Sequence, residues 1–414
     1  MTKPGPSQLA NSEERVTRRR IINNDRYLWI GRARPEDLPW THKNAVKFAS
    51  GREALVALLG GIGLGPGDIV LLPAFVPEGV IAPCRVKGLD IHFYSLDRNL
   101  DPDWSHLEEL ATALQPRLAV LIHYFGIRRE AGRFVAICHR NGALVVEDLA
   151  HAQKLPESSL GADGDFVLHS LTKIVGVADG AVLEMAAAHL LPLKPRPYCD
   201  PRRAICIVMN MARLLVTSAS RRFGSPAFWS RFWNIFGRFF YSYPILMWYF
   251  KRPTPMSGLS KALLARFPWR DAVVKRLRHE RRYRADLDGT VFGHLGGVAE
   301  TGHCTMGYAV VVEQREALFD TLAAQGIYGI WFEYKWDHFP ADVVHDDARW
   351  VMKHHFLFPT AYALSDEEVK EVIRVANEWA IKQKAGHVAF VTRFHRKPAR
   401  TARSESMNTG RDRM

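Results

Sequence analysis

Asp148 and Lys173 stand about twenty-five residues apart, each close behind a short apolar run. Asp148 lies in LVVEDLAHA, where Ala143 to Val146 reads as a buried strand that breaks at the carboxylates Glu147 and Asp148. A small polar turn with Gly161 and Gly164 follows, then a second short strand, Phe166 to Leu168, that delivers Ser170, Thr172 and Lys173. Acids and lysines at the carboxyl ends of neighbouring strands point into the crevice where open α/β sheets bind ligands. A lysine amine there can form a Schiff base with a carbonyl compound, and a fixed anion opposite it can keep a pyridinium nitrogen protonated. Those two groups are what pyridoxal phosphate (PLP) chemistry requires.

The elements that must carry this pair are legible from about Asn44 onward. Ser50 to Gly60 reads as a helix entered through Ser-Gly, and Gly65-Pro66-Gly67-Asp68 as a turn into the apolar strand Ile69 to Leu72. The pattern continues with helix Val80 to Lys87, strand Ile91 to Tyr94, helix Trp104 to Leu114, strand Leu118 to Ile122 and helix Glu130 to Asn141. Short apolar strands alternating with helices of about ten residues predict a mainly parallel α/β sheet. No GxGxxG follows a strand, which argues against a dinucleotide-binding domain. Further on, a long charged helix is expected over Lys261 to Leu287, then a strand Tyr308 to Val312 and a helix Arg315 to Gln325. A last helix, Ser365 to Lys382, opens on a Ser-x-x-Glu capping pattern. The domain organisation expected is an N-terminal arm at 1–43, a large ligand-binding α/β domain at 44–190 and a basic, aromatic-rich insert at 191–256. A connecting helix with a smaller α+β C-terminal domain at 257–383 and a basic disordered tail at 384–414 complete it.

Composition narrows the class. With 414 residues, 47% hydrophobic and 24% charged, the chain can hold one large and one small globular domain. Five scattered cysteines without CxxC spacing point away from a disulfide framework or a zinc site and toward a reducing, cytoplasmic compartment. The net charge of +13 is uneven. Residues 191–256 hold eleven Lys/Arg against the single acid Asp200, together with fourteen aromatics. In the second half of that insert Trp229, Phe232, Trp233, Phe236, Phe240 and Tyr243 fall on one helical stripe, too short to span a bilayer but suited to lie in its surface. Packing of the stripe on the enzyme body or on a partner subunit is the alternative. The charge carries no nucleic-acid recognition motif, so no nucleic-acid partner is expected.

Taken in order, Ser50-Gly51-Arg52-Glu53-Ala54-Leu55, GLGPGDIVLLPAFVP, HYFG, VVEDLAHA and SLTK with Asp179-Gly180-Ala181 behind it form a recognisable series. MSGLSKALL, LAAQGI and LFPTAYALSDEEV continue it. From about Asn44 to Trp379, apart from the insert, the chain resembles the DegT/DnrJ/StrS aminotransferases, PLP enzymes of fold type I that mostly act on nucleotide-linked keto-sugars. The resemblance implies that Lys173 carries the cofactor and shuttles a proton, and that Asp148 partners the pyridine nitrogen. It puts His151 near the cofactor's phenolic oxygen. Gly51 and Arg52 at a helix start, with the Ser170 hydroxyl, would receive the phosphate.

Two departures from the family pattern stand out. Where the family places an aromatic to stack on the cofactor ring, this chain reads Ala74-Phe75-Val76-Pro77-Glu78, leaving Pro77, Phe75 or His123/Tyr124 as candidates. The Asn-Tyr-Arg string that reaches the partner subunit's cofactor is replaced by Lys251-Arg252-Pro253. The activity implied is transfer of an amino group from an amino acid, glutamate above all, to a small keto or aldehyde acceptor. The implied enzyme is a cytoplasmic homodimer with a shared site; the insert at 191–256 adds membrane-surface contact as one of its two readings. The departures keep open another PLP reaction on the same scaffold, a dehydration or decarboxylation, and a non-catalytic membrane-associated homologue.

Overall fold

The computed structural model describes residues 22–23, 27–28, 37–40, 44–197, 201–223, 252–296, 301–333 and 346–395. Its centre is a seven-stranded sheet with the order β2-β9-β8-β6-β5-β3-β4. The strands are β2 (Ala45–Phe48), β3 (Ile69–Pro73), β4 (Asp90–Tyr94), β5 (Leu118–Ile122), β6 (Leu144–Asp148), β8 (Phe166–Ser170) and β9 (Ala181–Met185). The five strands from β8 to β4 run parallel, while β9 runs antiparallel to both β8 and β2. Every residue of β5, Leu-Ala-Val-Leu-Ile, is buried, as expected of a strand covered on both faces. Helices α1 (Gly51–Gly61), α2 (Glu78–Val86), α3 (Trp104–Leu114) and α4 (Ala131–Arg140) connect the strands. Ser50 caps α1 by accepting the Glu53 N–H, and its hydroxyl donates back to Glu53 Oε2 at 2.9 Å.

The C-terminal part builds its own core around a three-stranded antiparallel sheet of β10 (Gly293–His294), β12 (Tyr308–Val311) and β14 (His355–Phe358). Tyr283, Phe292, Val310, Leu318, Phe356, Phe358 and Trp379 fill it. A two-stranded ladder, β7 (Ala152–Lys154) with β11 (His303–Thr305), ties this part to the segment just after β6.

Several expectations change. The strand carrying the acids does not break before them: β6 runs through Glu147 and Asp148, because partners for Glu147 are built in. Its carboxylate accepts N–H bonds from Asp163 (3.0 Å) and Gly164 (2.6 Å) and pairs with His123 Nε2 at 2.8 Å. The single long charged helix is two, Gly258–Leu264 and α7 (Trp269–Asp286). Pro268 separates them, since it lacks an N–H and disfavours helical geometry in the residue before it. The arm at 1–43 is anchored where it is described: Ile22 pairs in parallel with Ile327, and Trp40 packs edge-on against Trp269. The last helix, Asp366–His395, runs on into the segment expected to be disordered, because Phe390 and Phe394 stack on Trp350. In the insert, Pro201–Phe223 is a helix, and the stripe Trp229 to Tyr243 lies outside the described residues.

One buried acid makes the contact between the helix Trp269–Asp286 and β11 sensitive to pH. Glu280 on α7 accepts the Thr305 N–H (2.7 Å) and hydroxyl (2.8 Å) at the end of β11. Burial raises its pKa from 4.5 to about 7, against the pull of those two bonds and of Arg276 and Arg281. A carboxyl raised in the folded state contributes stability that is full below its unfolded value and lost as the pH rises through about 7. Glu280→Gln is therefore expected to gain stability relative to the wild type between pH 5 and pH 8, by up to about 3 kcal/mol. Urea unfolding at the two pH values checks it; a pH-independent difference would contradict the assignment.

Candidate active site

The register of the sheet brings the carboxyl ends of three strands together. Asp148 is opposite Ile122 of β5 on one side and Leu168 of β8 on the other. Beyond β8 the chain makes one tight turn, Leu171–Lys173, closed by bonds from the Ile174 and Val175 N–H groups to the Leu171 carbonyl. That turn brings Lys173 back to the end of β6, where its Nζ lies 3.1 Å from His151 Nε2. Lys173 is only partly shielded as a residue, while burial is the main influence on its amine.

The surroundings set the charges. Burial lowers the pKa of Lys173; Asp148 works against that shift and Arg52 adds to it. Burial raises the pKa of Asp148, opposed by Lys173, by the 2.7 Å bond from the Ala150 N–H to its Oδ1, and by His123 and His169. The pKa of His151 falls well below the usual imidazole value, through burial first, with Lys173 and His355 further disfavouring an imidazolium beside them. Arg52, in the first turn of α1, is also lowered by burial, with Glu53 and Cys206 opposing. Gly51 opens that helix, and a Cβ there would come 3.8 Å from Leu168, so the helix start rests on β8. Ser170 ends β8, half-buried and paired with Ala181. The structure thus gathers the predicted Asp148, His151, Lys173 and Arg52 into one electrostatic cluster, with Gly51 and Ser170 at adjoining element ends.

Two buried carboxylate clusters support the strand ends from behind. Burial opposes ionisation of Glu147, yet His123 and the N–H groups of Gly164 and Asp163 hold its carboxyl below the usual range. Glu184 on β9 is likewise held low against burial by His169 (2.6 Å) and by Lys154 (3.5 Å).

The sequence reasoning missed the aromatic side of the site. Among its candidates, Phe75 is buried with its ring edge-on to His355, Pro77 caps α2, and His123 is spent on Glu147. The rings that lie parallel to His151 are Phe332, with centroids 5.1 Å apart and 11° between planes, and Phe125, at 6.2 Å and 4°. His355 extends the pile, 5.2 Å from Phe125, and its Nε2 accepts the Phe332 N–H at 2.9 Å. Phe125 belongs to the HYFG string, but its φ of 59° is not readable from sequence; Phe332 and His355 come from the C-terminal part and carry no motif signal. Gly126 follows at φ +95°, and a Cβ there would come 2.6 Å from the His151 carbonyl and 2.7 Å from Thr305 Cα. Gly126→Ala is expected to cost about 2–4 kcal/mol and to disturb the His151 loop. Urea unfolding measures the loss, and a variant as stable as the parent would contradict this packing.

The donor set fits a PLP-shaped group. It offers an amine for an aldehyde, a carboxylate for a basic ring nitrogen, and an arginine at a helix N-terminus for a phosphate.

Residues 40–174 match the family model described as the DegT/DnrJ/EryC1/StrS aminotransferase family. The chain is 28% identical over 178 residues to a dTDP-4-dehydro-2,3,6-trideoxy-D-glucose 4-aminotransferase of Saccharopolyspora spinosa, covering 39% of this chain and 46% of that protein. It is also 28% identical over 161 residues to a UDP-N-acetyl-3-dehydro-α-D-glucosamine 3-aminotransferase of Acidithiobacillus ferrooxidans, covering 36% and 41%. The chain thus spans less than half the length of these two relatives. Among solved structures, the aminotransferase TlmJ of Streptoalloteichus hindustanus superimposes with a TM-score of 0.59 at 20% identity, over 92% of this chain and 98% of that one. The PLP form of the sugar aminotransferase Spr1654 of Streptococcus pneumoniae gives 0.59 at 15% identity, over 92% and 97%. At these identities the likeness establishes the fold, that of fold type I with a large, mostly parallel sheet.

Proposed function

We propose that this chain, whose residues 40–174 match the model of the DegT/DnrJ/EryC1/StrS aminotransferase family, is a PLP-dependent aminotransferase of that family. Its amino donor is an amino acid, glutamate in the first instance, and its acceptor is the keto or aldehyde group of a nucleotide-linked sugar or a related metabolite. The single observation that carries the reading is the buried cluster of Asp148, Lys173 and His151 at the carboxyl ends of β6 and β8. Relatives named for nucleotide-linked keto-sugars support the acceptor class.

When bound, PLP supplies an electron sink for the charge that develops at the substrate carbon. The lowered pKa of Lys173 favours an amine that can bond to a carbonyl carbon and can then take a proton from the substrate carbon. Asp148, as the carboxylate, holds a proton on the ring nitrogen across the crevice. Arg52 and the N–H groups at the start of α1 hold the phosphate, with Ser170 beside them. His151 stands next to the Lys173 amine and orients it. Borohydride treatment of the PLP-loaded chain is expected to fix the cofactor on the peptide containing Lys173. Label on another lysine would overturn the assignment. Asp148→Asn should lower kcat by about 10²–10³, and Arg52→Ala should weaken PLP binding by about 10–100-fold.

The family resemblance supports a homodimer with a shared site, for which Arg252, exposed on the surface, is the residue proposed to reach the partner. The helix Pro201–Phe223 favours a further contact with membrane. Ile205, Val208 and Leu215 are 49%, 64% and 56% exposed on it. No described helix is long and apolar enough to cross a membrane, so the contact proposed is in-plane. Replacing Ile205, Val208 and Leu215 by Ser is expected to lower co-sedimentation with anionic lipid vesicles several-fold. Unchanged sedimentation would remove the membrane from this reading.

A further inference from the structure

Two hydrogen bonds to one imidazole fix the state of the lysine beside it. The Phe125 backbone N–H donates to His151 Nδ1 at 3.2 Å, so Nδ1 carries a lone pair and no proton. A neutral imidazole has one N–H, and with Nδ1 occupied as acceptor it must be on Nε2. Nε2 lies 3.1 Å from Lys173 Nζ. Two N–H groups cannot point at one another, so the Nε2–H can only be received by a nitrogen with a lone pair. An ammonium has none. We infer that the Phe125 N–H, by fixing the His151 tautomer, makes His151 a donor to Lys173 and so holds that lysine as the uncharged amine.

Phe125 meets this requirement at a conformational cost. Its φ of 59° and ψ of 1° lie in the left-handed region, where a residue with a Cβ is strained. This backbone turns the N–H toward His151 while the Phe125 ring stays within 4° of parallel to the imidazole. Gly126, which no side chain could replace without meeting the His151 carbonyl, continues the turn. Phe332 lies beside Phe125 against the same imidazole, its plane within 11° of it, and Phe332 is itself held by its N–H bond to His355 Nε2. His355 Nδ1 in turn lies 2.8 Å from the Val351 carbonyl, so it must carry the proton, and His355 is the opposite neutral tautomer.

The charged and titratable groups around the pair act in both directions. Asp148, from β6, favours the ammonium form of Lys173, and Arg52, from α1, favours the amine. His355, from β14, and Lys173 both disfavour an imidazolium at His151. Burial and Arg52 favour the amine and Asp148 opposes them; the donor bond from His151 adds to the first side, and its removal shifts the balance toward Asp148.

The inference deepens the proposed reading of this site, in that it names the protonation state from which Lys173 acts. It does not require bound PLP, and its test uses the full-length chain freed of carbonyl compounds. Nitrogen-15 NMR of the wild-type histidines is expected to give His151 a pyridine-type Nδ1 and a protonated Nε2 at neutral pH. A protonated Nδ1 or an imidazolium would overturn the inference. In parallel, trace acetylation read by peptide mass spectrometry compares Lys173 with the exposed Lys370 across pH. Lys173 should reach half-maximal reactivity at a lower pH than Lys370 in the wild type. His151→Gln, whose amide can accept from Phe125 and donate to Lys173, should preserve this. His151→Leu should slow acetylation of Lys173 at neutral pH about tenfold. Equal rates in the Leu and Gln variants would overturn the role of His151, and the wild-type NMR decides even where the Leu variant fails to fold. Failure of PLP to bind a chain that passes these tests would overturn the aminotransferase reading and leave this one standing.

Discussion

The constraint on which the site depends is the withdrawal of an acid and a lysine from water at one place. Removing either charge from solvent costs several kcal/mol, and a buried pair seldom repays both costs. Asp148, at the end of β6, and Lys173, in the turn after β8, nevertheless shift one another's charge, and Asp148 is 4% exposed and takes an N–H from Ala150. A hydrophobic pair of similar volume would hold β6 and β8 together at least as well. The pair is therefore best understood as kept for the states it can adopt, with burial pushing both groups toward their neutral forms.

Groups with displaced protonation need fixed neighbours, and the fold provides them with a layer of satisfied acids. Glu147 pins β6 to His123 and to the turn at Asp163 and Gly164. Glu184 pins β9 to His169 and Lys154, and Glu53 pins the start of α1 to Thr254, whose hydroxyl donates to it at 2.6 Å. Each acid joins segments distant in sequence, so the strand ends bearing Asp148 and Lys173 cannot drift apart independently. Burial without such partners would neutralise these carboxyls; with them, Glu147 and Glu184 stay below the usual range while Glu53 moves above it.

Much of this was legible in the sequence. The strand–helix alternation from Ser50 to Leu168 carries its periodicity in local residues, and the observed elements agree with it to within a residue or two at most ends. The polar cluster was legible because acids and a lysine behind apolar runs can only be tolerated at strand ends. Three things were not. Strand β6 runs through its acids because of partners up to twenty-four residues away, which spacing cannot reveal. The two-helix break at Pro268 was overridden in the reading by the charged periodicity on either side of it. The aromatic cover depends on a left-handed Phe125 and on two residues beyond position 330, so no local pattern encodes it.

The divergence of the chain falls along the same line. The charged groups lie within residues 40–174, the segment that matches the family model, while Phe332 and His355 lie outside it. Phe125, His151, Phe332 and His355 have ring planes within 23° of one another. Each outer histidine is held neutral by a backbone N–H, so the pile brings rigidity to the lysine without bringing charge. The loop after β3 offers Pro77 where the family resemblance expects an aromatic, and the parallel rings beside His151 are instead Phe125 and Phe332. Phe332 and His355 arrive from the C-terminal part but pack against the large-sheet core, Phe332 on that cluster and His355 on Phe75 and Phe125, so both parts set their position. Substitutions at Phe332 or His355 therefore bear directly on the rings that hold the His151 imidazole beside the amine.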